Sequence, residues 1–249
     1  MLVANILIKL KKEDILIKLK KEEIKLVAVI LWNLWNNHNG AVSDGSCKDP
    51  LSLVSFLLCF LNQFQEAIRN SMTTKHTSTS PQSIFSQWKI PPTGYVKANF
   101  DATVLASGDI SSIGVVIRDA KGNFMVGLAK QILGLFDPKV IESYAAKTAI
   151  KLLLDLHLHM IILEGDCQKV VKMIQSTDTD ASPCGMLVDD ILIDTQNFAT
   201  WETSWVPRKL NNVAHCFAKY GCCISDDFIW RDFPPDFIAT ALAADIISN

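Results

Sequence analysis

Val96-Lys-Ala-Asn-Phe-Asp-Ala-Thr-Val104, then Ile113-Gly-Val-Val-Ile-Arg118, then Phe124-Met-Val-Gly-Leu-Ala-Lys-Gln-Ile132 decide the architecture. The first run alternates apolar and polar positions, and the second is rich in β-branched residues. The third follows Asp119-Ala-Lys-Gly-Asn123, where Gly122 supplies the positive φ that a hairpin turn needs. These runs predict three consecutive antiparallel strands. Downstream the period changes. Pro138 opens a helical segment with Ile141, Ala145, Ala149, Leu152 and Leu156 on one face, Pro sitting near its first turn. A short buried strand is predicted over 160–163 and a helix over 166–174. A further helix follows over about 185–198, a strand over 201–206 and a helix over 211–220 that ends at Gly221. The order β-β-β-α-β-α-α-β-α specifies an α/β protein with a five-stranded mixed sheet, three antiparallel strands followed by parallel ones, flanked by helices.

On either side of this block the character of the sequence differs. Residues 71–87 are dense in Ser and Thr with Pro81 among them, and Pro91-Pro92 follows, which predicts a linker. Residues 1–70 form an N-terminal segment that is helical where Leu, Trp and Phe recur from Leu26 onward. Its start holds a direct repeat, Ile6-Leu-Ile-Lys-Leu-Lys-Lys-Glu13 and Ile15-Leu-Ile-Lys-Leu-Lys-Lys-Glu22. An offset of nine is a poor helical period and two copies make no solenoid, so duplication of the coding sequence explains it more simply than function does. The predicted domain occupies 88–222, and 223–249 are a C-terminal extension.

Composition excludes several classes. Of the 249 residues, 49% are hydrophobic and 20% charged, the balance of a folded globular chain. The apolar runs near the N-terminus are too short to span a membrane, and Lys9, Lys11 and Lys12 interrupt the first before it could serve as a signal peptide. No membrane association is expected. Seven cysteines without metal-ligand spacing read as reduced thiols. The formal charge of −2 gives no broad polyanion-binding surface, and within 88–222 there are 13 Lys and Arg against 14 Asp and Glu. Any contact with nucleic acid has to be local.

Three carboxylates stand at recurrent topological positions: Asp101 within the first strand, Glu142 in the first turn of the first helix, and Asp166 just after the fourth strand. A strand buried on both faces tolerates a carboxylate only beside a partner, so Asp101 demands something positive. Parallel neighbours bring their carboxyl ends together, which lets Asp101 and Asp166 converge. Carboxylates crowded in this way raise one another's pKa unless a cation neutralises them, and a hard ion such as Mg²⁺ or Mn²⁺ suits oxygen donors. Paired divalent ions serve phosphodiester hydrolysis. Taken singly, Glu142 is also a favourable early-helix residue and Asp166 an N-cap. Glu164 is read as structural because it points away from its strand neighbours.

Several separated motifs, in order, resemble the plant ribonuclease H-like family, type 1, of non-LTR retrotransposon origin. They are Trp88-x-x-Pro91-x-x-Gly94-x-x-Lys97-x-Asn99-x-Asp101, Gly114-x-x-x-Arg118-Asp119-x-x-Gly122, Glu142-x-x-Ala145, Glu164-Gly-Asp166 and Pro207-Arg208-x-x-Asn211-x-x-Ala214-His215-x-x-Ala218-Lys219. The resemblance implies a ribonuclease H-like fold and hydrolysis of the RNA strand of RNA–DNA hybrids with Mg²⁺ or Mn²⁺, two ions in all. It implies that Asp101, Glu142 and Asp166 are the metal-holding catalytic residues, with His215 at the fourth position, where catalytically typical members carry Asp. Imidazole brings no negative charge there and suits Mg²⁺ poorly.

Arg208, Lys209 and Asn211, near the last helix N-terminus, are the candidates for phosphate contact, although Asn211 is equally an N-cap. Where relatives that bind hybrids strongly carry a basic helix, this chain has Thr177-Asp-Thr-Asp-Ala-Ser-Pro183. Two functions therefore stand side by side: a hybrid ribonuclease, and a retroelement-derived module that binds nucleic acid or protein and cleaves poorly or not at all. A decayed retroelement fragment is a third. A nucleic-acid substrate places the protein in the nucleus or cytoplasm, and the sequence sets no oligomeric state.

Overall fold

A computed structural model describes residues 87–105, 110–176 and 180–247, together with Val27, Ile30, Leu31 and Trp35, which are helical. The chain divides into two compact units, Met1–Thr77 and Ser78–Asn249. The repeat at Ile6 and Ile15 and most of the linker lie outside the described residues. The sheet and the acidic residues belong to the second unit.

Six strands form one sheet in the order β5-β4-β1-β2-β3-β6. β1 (Val96–Val104), β2 (Ser111–Arg118) and β3 (Phe124–Ile132) make the predicted meander, each antiparallel to the next. The turn between β2 and β3 holds Gly122 at φ +80°, and the Asp119 carboxylate accepts hydrogen bonds from the Lys121 and Asn123 amides, both at 2.8 Å. The Asp side chain thus takes up the amides that the reversal leaves over. Next come α1 (Pro138–Asp155), β4 (Met160–Gly165), α2 (Gln168–Ser176), α3 (Pro183–Thr195), β5 (Thr200–Trp205) and α4 (Asn212–Gly221). β4 lies parallel to β1, and β5 parallel to β4. This is the ribonuclease H-like α/β fold that the motifs imply.

The helix starts follow local chemistry. Asp137 caps α1 by accepting from the Lys139 and Val140 amides, and Pro138 fills the first helical position, where no donor is missed. Ser182 and Pro183 do the same for α3, so that helix begins at Pro183 and not near Gly185. Asp166 precedes α2 instead of forming its acidic first turn, and Glu142 lies one turn deeper into α1 than its spacing in the sequence suggested.

Alternation along β1 separates two interiors. Ala98 and Phe100 face the apolar core, built with Ile113, Val115, Ile117, Leu163 and the inner faces of α1, α2 and α3. Lys97, Asn99 and Asp101 occupy the other face, yet they too are buried. The central strand is covered on both sides, which requires every polar group on the second face to find a partner.

The predicted five strands are present, and the C-terminal extension adds a sixth. β6 (Phe228–Arg231) pairs antiparallel with β3, and α5 (Ala239–Ile247) closes the chain. Trp230 and Phe237 pack on α4, with Tyr220 and Phe237 stacked at 4.4 Å and Phe217 meeting Phe237 edge-on at 5.3 Å. Asp245 of α5 pairs with Arg118 of β2 at 2.7 Å, both buried. Four residues of Phe-Ile-Trp-Arg are too short to show a period, which is why no strand is predicted there from sequence.

α4 sits unusually close to the sheet. A Cβ on Gly114 would lie 2.2 Å from the Ala218 amide nitrogen and 2.3 Å from the Ala214 carbonyl oxygen. Both contacts are helix backbone and cannot swing aside. Gly114→Ala should therefore displace α4 and lower unfolding stability by about 3 kcal/mol, the upper end of the usual overpacking range. Denaturant unfolding of the two proteins would show it. An unchanged midpoint would mean that α4 is free to move.

Candidate metal centre

Register brings the site together. Asp101 stands opposite Gly114 on β2, and the missing side chain leaves room for α4 to approach the carboxylate. Phe100 is paired with Gly165 on parallel β4, so the residue after each, Asp101 and Asp166, emerges at the same end of the sheet. The indole of Trp205 on β5 donates to the Asp166 carbonyl at 2.9 Å and fixes the chain where it leaves β4. Glu142 reaches in from α1. The three carboxylates each offer an oxygen such that all three oxygens lie within 4.8 Å of one another.

Each of these residues also has one buried oxygen without a hydrogen-bond partner in the protein: Asp101 Oδ1, Glu142 Oε2 and Asp166 Oδ1. Orphaned acceptors of this kind are costly, and three within one carboxylate cluster fit a hard cation that prefers oxygen donors. The residues present thus suit a divalent ion of the Mg²⁺ or Mn²⁺ type. Burial pushes the Asp166 carboxyl up to about 7, helped by the negative charge of Asp101, while Arg208 works in the other direction. Glu142 is driven well above the usual carboxylate range by burial, then by Asp101 and Asp166.

His215, in the first turn of α4, supplies the partner that Asp101 needs. Its Nδ1 lies 2.7 Å from Asp101 Oδ2, and since a carboxylate only accepts, Nδ1–H donates. Arg208 Nη2 stands 3.2 Å and 3.3 Å from the two ring nitrogens, a placement over the face of the imidazole. Its Nη1 is 3.7 Å from Asp166 Oδ2, and the side chain is 62% exposed. Arg208 thus lies across the mouth of the acidic cluster, on the short 3-10 turn Arg208–Leu210. Neighbouring Lys209 is exposed.

Asn211 has a different place from the one its position suggested. It is the residue before α4, but its side chain does not cap the helix. The amide donates to the Phe100 carbonyl at 2.7 Å and accepts from Asn99 Nδ2 at 3.2 Å. With 1% of its surface exposed, it ties α4 to β1 and presents nothing for a phosphate to touch.

Beneath the carboxylates, a buried polar network was legible in the sequence only as scattered motif residues. Glu164 accepts from Trp88 Nε1 at 3.0 Å, Lys97 Nζ at 3.0 Å, Asn99 Nδ2 at 2.8 Å and Ser204 Oγ at 3.2 Å. These four protein donors, and not its orientation, give it a structural place. Arg118 donates to Asn99 Oδ1 at 3.0 Å and lies over the Trp88 ring, 3.3 Å from its centroid. Arg118 and Trp88 carried no functional reading in the sequence, because nothing local announces that they share one site.

Residues 99–221 match the family described as Reverse transcriptase-like. No curated protein matches the chain. Among solved structures, RNase H1 from the halophilic archaeon Halobacterium salinarum NRC-1 is similar at 23% identity and a TM-score of 0.48, covering 51% of this chain and 96% of that one. The N-terminal RNase H domain of a Mycobacterium tuberculosis protein is similar at 18% identity and a TM-score of 0.48, over 51% and 93%. LC11-RNase H1, solved in complex with an RNA/DNA hybrid, is similar at 18% identity and a TM-score of 0.47, over 51% and 96%. Among the described residues no helix is long and apolar enough to cross a membrane.

The raised carboxyls have a consequence for stability. A group whose pKa is higher folded than unfolded holds more protons in the folded state, so it favours folding at low pH and loses that contribution as pH rises. The window runs from the ordinary carboxylate range through about 7 for Asp166 and higher for Glu142. In chelator, the melting temperature should fall between about pH 5 and pH 8. Asp166→Asn should flatten the fall, and Mn²⁺ at pH 8 should reverse it by binding the folded form. A metal-free profile that rises over this interval would contradict the crowding of charge.

Proposed function

We propose that this domain hydrolyses the RNA strand of RNA–DNA hybrids with the help of a divalent cation, as a ribonuclease H-like domain of plant non-LTR retroelement origin acting in the nucleus or cytoplasm. The observation that carries the reading is the convergence of Asp101, Glu142 and Asp166, from three different elements, each with one buried and unpartnered oxygen. The match of 99–221 to the Reverse transcriptase-like family supports it.

Asp101, Glu142 and Asp166 would hold the cation. When bound, such an ion polarises a phosphodiester and lowers the pKa of water. The protein's own groups do the rest. His215 fixes the orientation of Asp101 through the Nδ1–Oδ2 hydrogen bond, so the carboxylate cannot turn its orphaned oxygen away. Arg208 and Lys209 extend positive charge outward from the acidic cluster, where a phosphate of the backbone would approach. Phosphate contact is assigned to these two residues, since Asn211 is enclosed.

A second reading has its own support. His215 and Arg208 already engage Asp101 and Asp166, which favours a module that binds nucleic acid and cleaves weakly. Cleavage of a labelled hybrid in Mg²⁺ or Mn²⁺ separates the two. The wild type should cut, and Asp101→Asn should reduce the rate by more than about a hundredfold, beyond what losses outside the ligand shell of a metal usually cause. Equal rates for the two proteins remove the hydrolase reading. On either reading Lys209→Gln should flatten the dependence of log affinity on log salt by about one phosphate contact, measured by hybrid binding in chelator.

A further inference from the structure

Oxygens, and not residues, decide how many cations a carboxylate cluster holds. Asp101 and Asp166 each carry two, and in each residue the two have different fates. Asp101 Oδ1 and Asp166 Oδ1 are buried and unpartnered, beside the similarly orphaned Glu142 Oε2. Asp101 Oδ2 is taken by the His215 Nδ1–H at 2.7 Å, and Asp166 Oδ2 faces the Arg208 guanidinium at 3.7 Å. One buried oxygen of each carboxylate is thus without a protein partner, in a cluster whose three residues bring oxygens within 4.8 Å of one another. The second oxygens of both aspartates point toward protein donors.

We propose that the site takes a single divalent cation, and that Arg208, stacked on His215, is a resident positive charge in the place where a second cation would have to sit. A second ion bridged from the first through the other oxygen of an aspartate would need Asp101 Oδ2 or Asp166 Oδ2. At the former it meets an N–H aimed at the oxygen, and at the latter a guanidinium. Charge balance points the same way. Three carboxylates are neutralised by one divalent ion together with Arg208, whereas two ions and Arg208 would leave an excess of two positive charges around buried groups. The stack of Arg208 over both ring nitrogens of His215 makes the two residues one unit, so the histidine substitution and the arginine act together.

An ion count of one, where the resemblance implies two, rests on the proposed hydrolase reading and deepens it. It also makes Arg208 a positioning residue toward the metal as well as a candidate phosphate contact. The test is a titration of the full chain with Mn²⁺ by isothermal calorimetry, with bound ion counted by electron paramagnetic resonance. The wild type should bind one Mn²⁺. Arg208→Gln, a change at an exposed side chain, should keep one ion and bind it roughly tenfold more tightly, because a neighbouring positive charge has gone. The double variant Arg208→Gln with His215→Asp, which frees Asp101 Oδ2 and adds a carboxylate, should bind two.

Two ions on the wild type, or an Arg208→Gln affinity equal to or weaker than the wild type, would overturn the proposal while leaving hydrolysis open. Absence of any bound ion would overturn both. One ion without hybrid cleavage would uphold the proposal and remove the hydrolase reading.

Discussion

The Glu164 carboxylate, buried between β4 and β1, is the interaction on which the second face of the sheet depends. Four donors from three parts of the chain meet on it: Trp88 ahead of β1, Lys97 and Asn99 on β1, and Ser204 on β5. Asn99 passes the connection on to Arg118 of β2 and Asn211 at the head of α4, and Arg118 to Asp245 of α5. A buried ionic network brings little net stability over an apolar core, but removal of any one member leaves the others desolvated and unpaired. What the network gives is uniqueness of arrangement. The strand register and the approach of α4 are fixed by groups that have no alternative partners.

That constraint explains why the acidic cluster can exist. Asp101, Glu142 and Asp166 repel one another and have orphaned oxygens, a local arrangement that the chain would relax if it could. It cannot, because Asp101 lies two residues along β1 from Asn99, and Asp166 lies two residues beyond Glu164 on β4. Each reactive carboxylate is thus the next same-face position after a network residue. The tension at the site and the satisfaction beneath it are two ends of the same strands.

The sequence revealed the strands and helices well where a period or a cap announced them: the β1–β3 meander, the Pro138 helix, and the helix before Gly221. It revealed the three carboxylates because a mid-strand Asp and an Asp after a strand are chemically conspicuous. It did not reveal β6 or α5, whose formation depends on long-range pairing with β3 and with Arg118 and not on any local signal. Nor could it tell that Asn211 would turn inward to Phe100 and Asn99 when its position equally suited a cap. The contact of Arg208 with both His215 and Asp166 was likewise invisible, since seven residues on a turn-and-helix path carry no pairing rule. Spacing reports backbone periodicity, whereas side-chain partnership is settled by packing.

The tether between Arg118 and Asp245 bears on where this domain ends. The span shared with the Reverse transcriptase-like family stops at residue 221, but the guanidinium under the sheet is answered by a carboxylate 24 residues later. Trimmed to the family span, the chain would lose Trp88 and Lys97 at one end and Asp245 at the other, leaving Arg118 and Glu164 desolvated without their counter-charges. The unit in which these buried charges are answered is therefore longer than the span that matches the family model. Similarity and self-sufficiency draw different boundaries on the same polypeptide.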